Sequence, residues 1–389
     1  MGRAGGTTVK EAARQAVTSA QDELVALSHR IHAHPELGFE EHRAAAWVGE
    51  ALTAGGFSVE AGVADLPTAL VATAGSGPLT VGVCAEYDAL PTVGHACGHN
   101  VIAAAAVAAG RALAAVADDV GLTVKVFGTP AEEGGGGKIL MLERGVFVGV
   151  DAAMMIHPAP QERADPPTLA VAHLNAEYVG RPAHASAFPE DGINAADALT
   201  IAQVAIGLLR QHIRGSDRIH GIVTAGGDAP NIVPAYTRGA FYVRSATLAA
   251  LAELEPRVRA CFEAGALATG ASLTVSNDSP PYSEFAHNPL LLELYRANAE
   301  ALGRVFPVPT ARDERMAGST DMANVSLAVP TIQPMMSIES GTAGNHQPEF
   351  AAYCVRPAAD RALLDGGVAM AWTAIELATR PGARDQLSA

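Results

Sequence analysis

The sequence predicts an α/β protein with a smaller α+β domain inserted into it, and three features carry that reading. Short runs rich in β-branched and apolar residues alternate with helix-like stretches over the first part of the chain, as in a sheet of mostly buried strands. From about residue 173 the order changes to strand, helix, two strands, helix, strand. After a Pro-rich piece at 279–289, SPPYSEFAHNP, the first texture resumes. A chain of 389 residues accommodates two to three domains of roughly 150 residues each.

Taken in order, Val9 to Leu52 carries apolar residues at helical spacing with a break at His34-Pro35, because proline disfavours helix in the residue before it. Two helices joined by a turn are expected there. Beyond Gly55-Gly56, strands are expected at 57–61, 69–73 and 80–85, then a motif-dense loop from Glu86 to Asn100 and an Ala-rich helix at 101–117. Thr123 to Gly128 and Ala152 to Ile156 follow as strands that end at Thr129-Pro130 and His157-Pro158. In the insert, strands at 173–180, 218–226, 236–246 and 271–277 and helices at 194–213 and 248–269 give the βαββαβ order of a ferredoxin-like domain. The domains are therefore expected at 1–173 with 286–389, and at 174–285. A helix at 290–302 opens the return segment, and the polar residues from Pro381 onward are expected to fray.

Composition narrows the function classes. Hydrophobic residues at 49% with charged residues at 17% exclude a disordered chain and a coiled coil. A net charge of −15 with no basic run argues against nucleic acid and anionic membranes as partners. The most apolar stretch, Val101 to Val116, is broken by Arg111 and falls short of the ~20 residues that span a bilayer. Four scattered cysteines and the lack of a secretory apolar region after Met1 point to a reducing cytoplasm.

Five loops gather residue types able to bind a divalent metal: AEYDALPTVGHACGHN (85–100), TPAEEGGGGK (129–138), MMIHPAP (154–160), GRPAHAS (180–186) and GTAGNHQPEF (341–350). Cys97 and His99 stand two apart, so an extended segment would project both side chains to one side as a chelating pair. On that loop alone, a buried cysteine with satisfied histidines is an equal alternative. Glu132-Glu133 follows an expected strand and precedes four glycines. Two adjacent carboxylates repel unless a metal intervenes, in which case one ligates while the other serves as a base. An exposed acidic helix start is the alternative. His157 and His346 are weak candidates singly, but ligands in open α/β sheets collect at the carboxyl ends of strands, and these loops fall there together.

Seven ordered motifs, HRIHAHPELGFEE (29–41), AEYDALPTVGHACGHN, PAEEGGGGK, GRPAHAS, NIVPAY (231–236), GSTDMANVS (318–326) and GTAGNHQPEF, resemble the aminoacylase and carboxypeptidase family of dinuclear metallopeptidases. The resemblance runs from about residue 20 to 375 and favours the branch of auxin-conjugate amidohydrolases and aminobenzoyl-glutamate hydrolase. Glu86 and Asn100 stand where many members have Asp, which shifts it toward the aminobenzoyl-glutamate hydrolase and β-alanyl-dipeptidase-like members. A neutral amide at 100 would remove a charge from the surroundings of the site.

The resemblance implies a zinc-peptidase-like catalytic domain with an inserted lid that dimerises. It implies two divalent ions, zinc first with manganese, cobalt or nickel as substitutes, held by Cys97, His99, Glu133, His157 and His346. Glu132 would be the general base toward the attacking water, and Asp88 the carboxylate that orients a ligand. His184 would contact the developing oxyanion from a partner subunit, and Asn231 and Arg244 would hold the substrate's carboxylate. The implied substrates are N-acyl amino acids or small dipeptides, including aminoacyl and aminobenzoyl-glutamate types. Two rival classes are a cysteine hydrolase with Cys97 as nucleophile and His99 or His157 as its base, and a non-catalytic metal sensor. The clustered His29, His32, His34 and His42 are assigned to the amino-terminal helices and their turn, without chemistry.

Overall fold

Three helices, α1 (Gly2–Ser19), α2 (Gln21–His32) and α3 (His42–Ala54), precede the first strand of the computed structural model, which describes residues 2–311, 313–315 and 317–387, with side chains from residue 8. Two helices were expected. The extra break falls at Ala20, whose φ of −102° and ψ of 7° leave the helix, and Asp22 and Glu23 then fill the first turn of α2, where a helix N-terminus favours negative charge. Neither Gly nor Pro marks this break, so hydrophobic periodicity runs through it.

Next come β1 (Ser58–Ala61), β2 (Leu70–Gly75), β3 (Leu79–Glu86), α4 (His99–Ala114), α5 (Ala117–Val120), β4 (Leu122–Thr129), α6 (Gly137–Glu143), β5 (Ala152–Met154) and β6 (His157–Ala159). A second run consists of β7 (Ala170–Val179), α7 (Ala195–Leu209), β8 (Arg218–Ala225), β9 (Tyr236–Ser245), α8 (Leu248–Thr269) and β10 (Ser272–Asn277). The chain closes with α9 (Pro289–Ala301), α10 (Met322–Ser326), β11 (Thr331–Ile332), β12 (Met335–Ser337), α11 (Pro348–Tyr353), α12 (Pro357–Thr379) and α13 (Ala383–Gln386). Two compact units result, Met1–Pro167 with Phe285–Ala389, and Thr168–Glu284.

The main sheet of the first unit has the order β1-β2-β4-β3-β5-β11. β4, β3, β5 and β11 are mutually parallel, while β2 pairs antiparallel with β4 and β1 with β2. Parallel pairing brings the carboxyl ends of β3, β4 and β5 to one edge, with Glu86 opposite Thr129 and Val83 opposite Met154. Against the sheet lies α4, every residue of which from His99 to Gly110 is buried. A helix apolar on all faces is a core helix. Its alanines allow close approach of α12, where a Cβ at Gly367 would stand 2.5 Å from the Ala108 Cβ. The expectation of fraying beyond Pro381 is corrected: Ala383 and Leu387, four apart on one helix face, are both buried, while 388 and 389 lie outside the described residues.

In the second unit the sheet order is β10-β7-β9-β8, with every neighbouring pair antiparallel. Ala170, Ala172, Leu174, Ala176 and Tyr178 of β7 alternate into a core shared with α7 and α8, while Val171, His173 and Asn175 on the opposite face are buried as well. β7 begins three residues before the expected 173, because Ala170 to Ala172 pair with Ser245 to Val243 of β9 despite weak strand propensity. The element order is βαββαβ. Among the described residues no helix is long and apolar enough to cross a membrane.

Candidate active site

Three chain segments leave the shared carboxyl edge of β3, β4 and β5, and each delivers titratable side chains to one place. After β3, the loop from Tyr87 turns at Gly98, whose φ of +83° is left-handed and whose Cβ, were there one, would lie 2.9 Å from Pro158 Cγ. Cys97 and His99 therefore do not share an extended segment as expected. Cys97 ends the loop and His99 begins α4, yet their ligand atoms converge with His157 to within 4.8 Å of one another.

Hydrogen bonds fix both imidazoles. His99 Nδ1 lies 2.8 Å from the Asp88 carbonyl oxygen and 2.9 Å from Asp88 Oδ1, and both partners are acceptors, so Nδ1 carries a proton and Nε2 is the nitrogen left to ligate a cation. The same logic applies to His157, whose Nδ1 donates to the Pro158 carbonyl at 2.9 Å while Nε2 faces Cys97 Sγ at 3.4 Å.

After β4, the chain passes through Ala131 at a left-handed φ of 55°, stabilised by donation of its N–H to Glu41 Oε1 at 2.8 Å. That turn directs Glu132 and Glu133 inward, so the exposed acidic helix start is not what forms. Asp88 Oδ2 accepts the Glu133 N–H at 2.9 Å. His99 Nε2 is 3.9 Å from Glu132 Oε2 and 3.8 Å from Glu133 Oε1. His346 arrives from the loop before α11, with a left-handed φ of 70°, its N–H donating to the Ala96 carbonyl, and its Nε2 3.5 Å from Glu133 Oε1. Asn345 secures that loop by donating to the carbonyls of Pro158 at 3.0 Å and Cys97 at 3.4 Å.

Three overlapping groups could hold metal ions: Cys97, His99 and His157; Cys97, Glu133 and His346; and Glu86, His99 and Glu132. His99 Nε2, Glu133 Oε1 and Glu86 Oε2 are buried without hydrogen-bond partners. Buried carboxylates gathered around imidazole nitrogens and a thiol repel one another, so this donor set fits a divalent cation. The titration behaviour follows from the same crowding. Burial, then Glu133, pushes the Cys97 thiol well above its ordinary value, and burial, then Glu86 and Glu133, does the same to the Glu132 carboxyl. Burial holds His157 at about 4. Burial pulls His99 down, but the Asp88 carboxylate and Cys97 outweigh it and leave the ring well above the usual range.

Sequence reasoning assigned no role to three further residues at this edge. Lys138, fully buried at the start of α6, has its Nζ 2.6 Å from Glu86 Oε1 and 2.6 Å from Asp321 Oδ1, and its N–H donates to Asp321 Oδ2 at 2.8 Å. Burial lowers the affinity of Lys138 for its proton, but Asp321 and Glu86 more than reverse this and keep it charged. The motifs GGGGK and GSTDMANVS held the signal, but nothing local joins residues 183 apart. Asn100 also differs from expectation. Its amide donates to Ser28 Oγ at 2.8 Å and to the Cys354 carbonyl at 2.9 Å, a place where a carboxylate would lack the donors.

The remaining candidates lie in the second unit. His184 is exposed and bridges to Ile232, while the Ala185 N–H donates to the Asn231 carbonyl at 3.0 Å, so His184 and Asn231 are neighbours on the loops beside the β8–β9 hairpin tip. Arg244 is half-buried near the far end of β9, its Nε 3.3 Å from His220 Nε2 and its guanidinium 5.6 Å from the Tyr242 ring centre. From Tyr236 to Arg244 the strand advances roughly 27 Å, so Asn231 and Arg244 of one chain do not close on one carboxylate.

Fold and site together define a metal-dependent hydrolase of amide bonds. The chain belongs to peptidase family M20/M25/M40, whose model matches residues 83–361. It is 36% identical to the Xaa-Arg dipeptidase of Mus musculus over 96% of this chain and 90% of that protein. It is 33% identical to a p-aminobenzoyl-glutamate hydrolase subunit of Escherichia coli K12 over 74% of this chain and 63% of that one. Among solved structures, an aminobenzoyl-glutamate utilization protein from Klebsiella pneumoniae superposes with a TM-score of 0.70 at 21% identity, covering 89% of this chain and 96% of that chain.

Proposed function

We propose that this hydrolase cleaves the amide bond of dipeptides or N-acyl amino acids that end in a carboxylate, with Glu132 as general base. The observation that carries the reading is the burial of Glu132, 6% exposed, beside His99 and Glu133 at the edge where the parallel strands end. Cys97, His99, Glu133, His157 and His346 would hold two divalent ions, zinc before manganese, cobalt or nickel because a thiolate is among the donors. Such ions, when bound, acidify water and polarise the scissile carbonyl. Glu132, its proton affinity raised by burial and by neighbouring carboxylates, is suited to take a proton from the attacking water and pass it to the leaving amine. Asp88 holds His99 in one tautomer and Glu133 by its N–H.

The names of the two relatives support this substrate class, since a dipeptide and an aminobenzoyl-glutamate both place a carboxylate beyond the scissile amide. Arg244 and Asn231 are the proposed carboxylate contacts and His184 the oxyanion contact. Because Asn231 and Arg244 stand at opposite ends of β9, both reach one substrate only if two chains contribute. A homodimer through the second unit supplies them. Its edge strand β8 exposes Ile222 at 66% and Val223 at 48%, an unpaired edge suited to a second copy. Four free, buried cysteines are in keeping with a reducing cytoplasm.

The test is a hydrolysis screen that varies the acyl group at fixed amino acid and then the amino acid at fixed acyl group. Activity should vanish with a chelator, return with zinc or manganese, and be absent from Glu132→Ala while metal stays bound. Chelator-resistant turnover would point instead to Cys97 as a nucleophile, and metal binding without any turnover to a sensor.

A further inference from the structure

The Lys138 cluster asks for an explanation that neither the five proposed ligands nor the general base supplies. Four buried carboxylates, Glu86, Asp88, Glu132 and Asp321, share this region with a single lysine and with His99. Glu86 is placed to face two ways. As the last residue of β3, in register with Thr129 of β4, it holds one oxygen 2.6 Å from Lys138 Nζ. Its other oxygen lies 3.4 Å from His99 Nε2, the ring nitrogen that Asp88 does not engage. Both Glu86 oxygens are buried and neither makes a hydrogen bond, so Lys138 meets Oε1 as an ion pair, and a Glu86 oxygen forms with one ligand atom each of His99 and Glu132 a group whose atoms lie within 4.8 Å.

We propose that Glu86 is a further ligand of the ion held by His99, and that Lys138, anchored by Asp321, is the positioning residue that aims it. The inference rests on the metal reading of the site. An ammonium on Oε1 orients the carboxylate and leaves Oε2 toward the ion, as a hydrogen-bonded carboxylate behind a ligand does elsewhere. Asp321 grips Lys138 twice, through Nζ and through the backbone N–H, which fixes the start of α6 as well as the side chain. Glu86 thus belongs to the ion held by His99, the one residue its group has in common with Cys97 and His157, and it groups with neither Glu133 nor His346.

The experiment is competition for zinc, and separately for manganese, between a chelator and the full chain, with metal content read by elemental analysis. Cobalt loading adds the Cys97 thiolate-to-metal absorption as a spectroscopic report. Glu86→Gln, which keeps shape, should weaken one ion roughly 10- to 100-fold and leave the other at parent affinity, so that a dialysed sample retains one ion per chain fewer. Lys138→Met should weaken the same ion. The double variant Glu86→Gln with Lys138→Met removes one of the two carboxylates that Lys138 neutralises, so it should recover part of the thermal stability lost in Lys138→Met, Asp321 remaining without its lysine, and should not recover the ion. Parent affinity for both ions in Glu86→Gln overturns the proposal, as does recovery of the ion in the double variant, which a purely structural pair would produce. If Lys138→Met does not fold, Glu86→Gln alone decides. Failure of the parent chain to bind any ion is a different result and sinks the metal reading itself.

Discussion

Asp88 Oδ1 lies 2.9 Å from His99 Nδ1, and Asp88 Oδ2 accepts the Glu133 N–H at the same distance, so one buried carboxylate sets a ring tautomer and a backbone turn together. Asp88→Asn leaves one side-chain oxygen for two donors, His99 Nδ1 and the Glu133 N–H, so either the ring or the turn loses an acceptor while the backbone carbonyl at 88 still accepts from Nδ1. Zinc affinity by chelator competition should fall roughly 10- to 100-fold in Asp88→Asn and also in Asp88→Ala. Unchanged affinity in both would mean that the Asp88 side chain does not position the metal ligands.

Metal binding should release protons. Burial and Glu133 raise the Cys97 thiol well above its ordinary value, so it ligates only by giving up a proton. Calorimetric titration with zinc in buffers of different ionisation enthalpy should therefore show proton release, with about one proton fewer in Cys97→Ala. A proton count that does not change in Cys97→Ala would remove the thiol from the ligand set.

A third expectation concerns stability. Burial, reinforced by the Asp88 charge, raises Glu41 from 4.5 to about 7. Between those values the native state holds a proton that the unfolded chain has released, so stability falls as pH rises through this window and the loss is complete above about 7. The shift corresponds to about 3 kcal/mol. Glu41→Gln keeps an oxygen for the Ala131 N–H, so in the chelated protein it should match the parent near pH 4 and melt higher at pH 8. Equal melting temperatures at pH 8 would show that Glu41 is already neutralised by a neighbour.

How much of this could be read from the sequence depends on the range of the interactions. The strands β3, β4 and β5 and the helices α7 and α8 follow from local periodicity, and three of the metal-loop motifs fall at strand ends because parallel pairing aligns those ends. The structure brings Cys97, His99, Glu133, His157 and His346 together as candidate ligands. The left-handed turn at Gly98 was hidden, since glycine at that place is equally at home in an extended loop. β11 and β12 span two and three residues beside Pro330 and Pro334, too few to display a period of two. Lys138 and Asp321 meet only through the tertiary fold, and the separation of Asn231 from Arg244 appears only once β9 is laid out as a strand.

Assembly gives the last prediction. If His184 acts on the active site of a partner chain, each site joins one chain's Glu132 to the other chain's His184. Glu132→Ala and His184→Ala homodimers should each be inactive or nearly so, the latter because loss of an oxyanion contact costs roughly 3 kcal/mol, about 100-fold in rate. A hybrid dimer has one site lacking both groups and one site with both intact. At equal mixing and free exchange half of the dimers are hybrids, so activity should recover to about a quarter of the parent value. The recovery should depend on exchange time and be abolished if the two chains are first crosslinked as homodimers. Verified subunit exchange without recovery would place His184 in its own chain's site or outside catalysis, and a parent chain that sediments as a monomer would remove the shared site altogether.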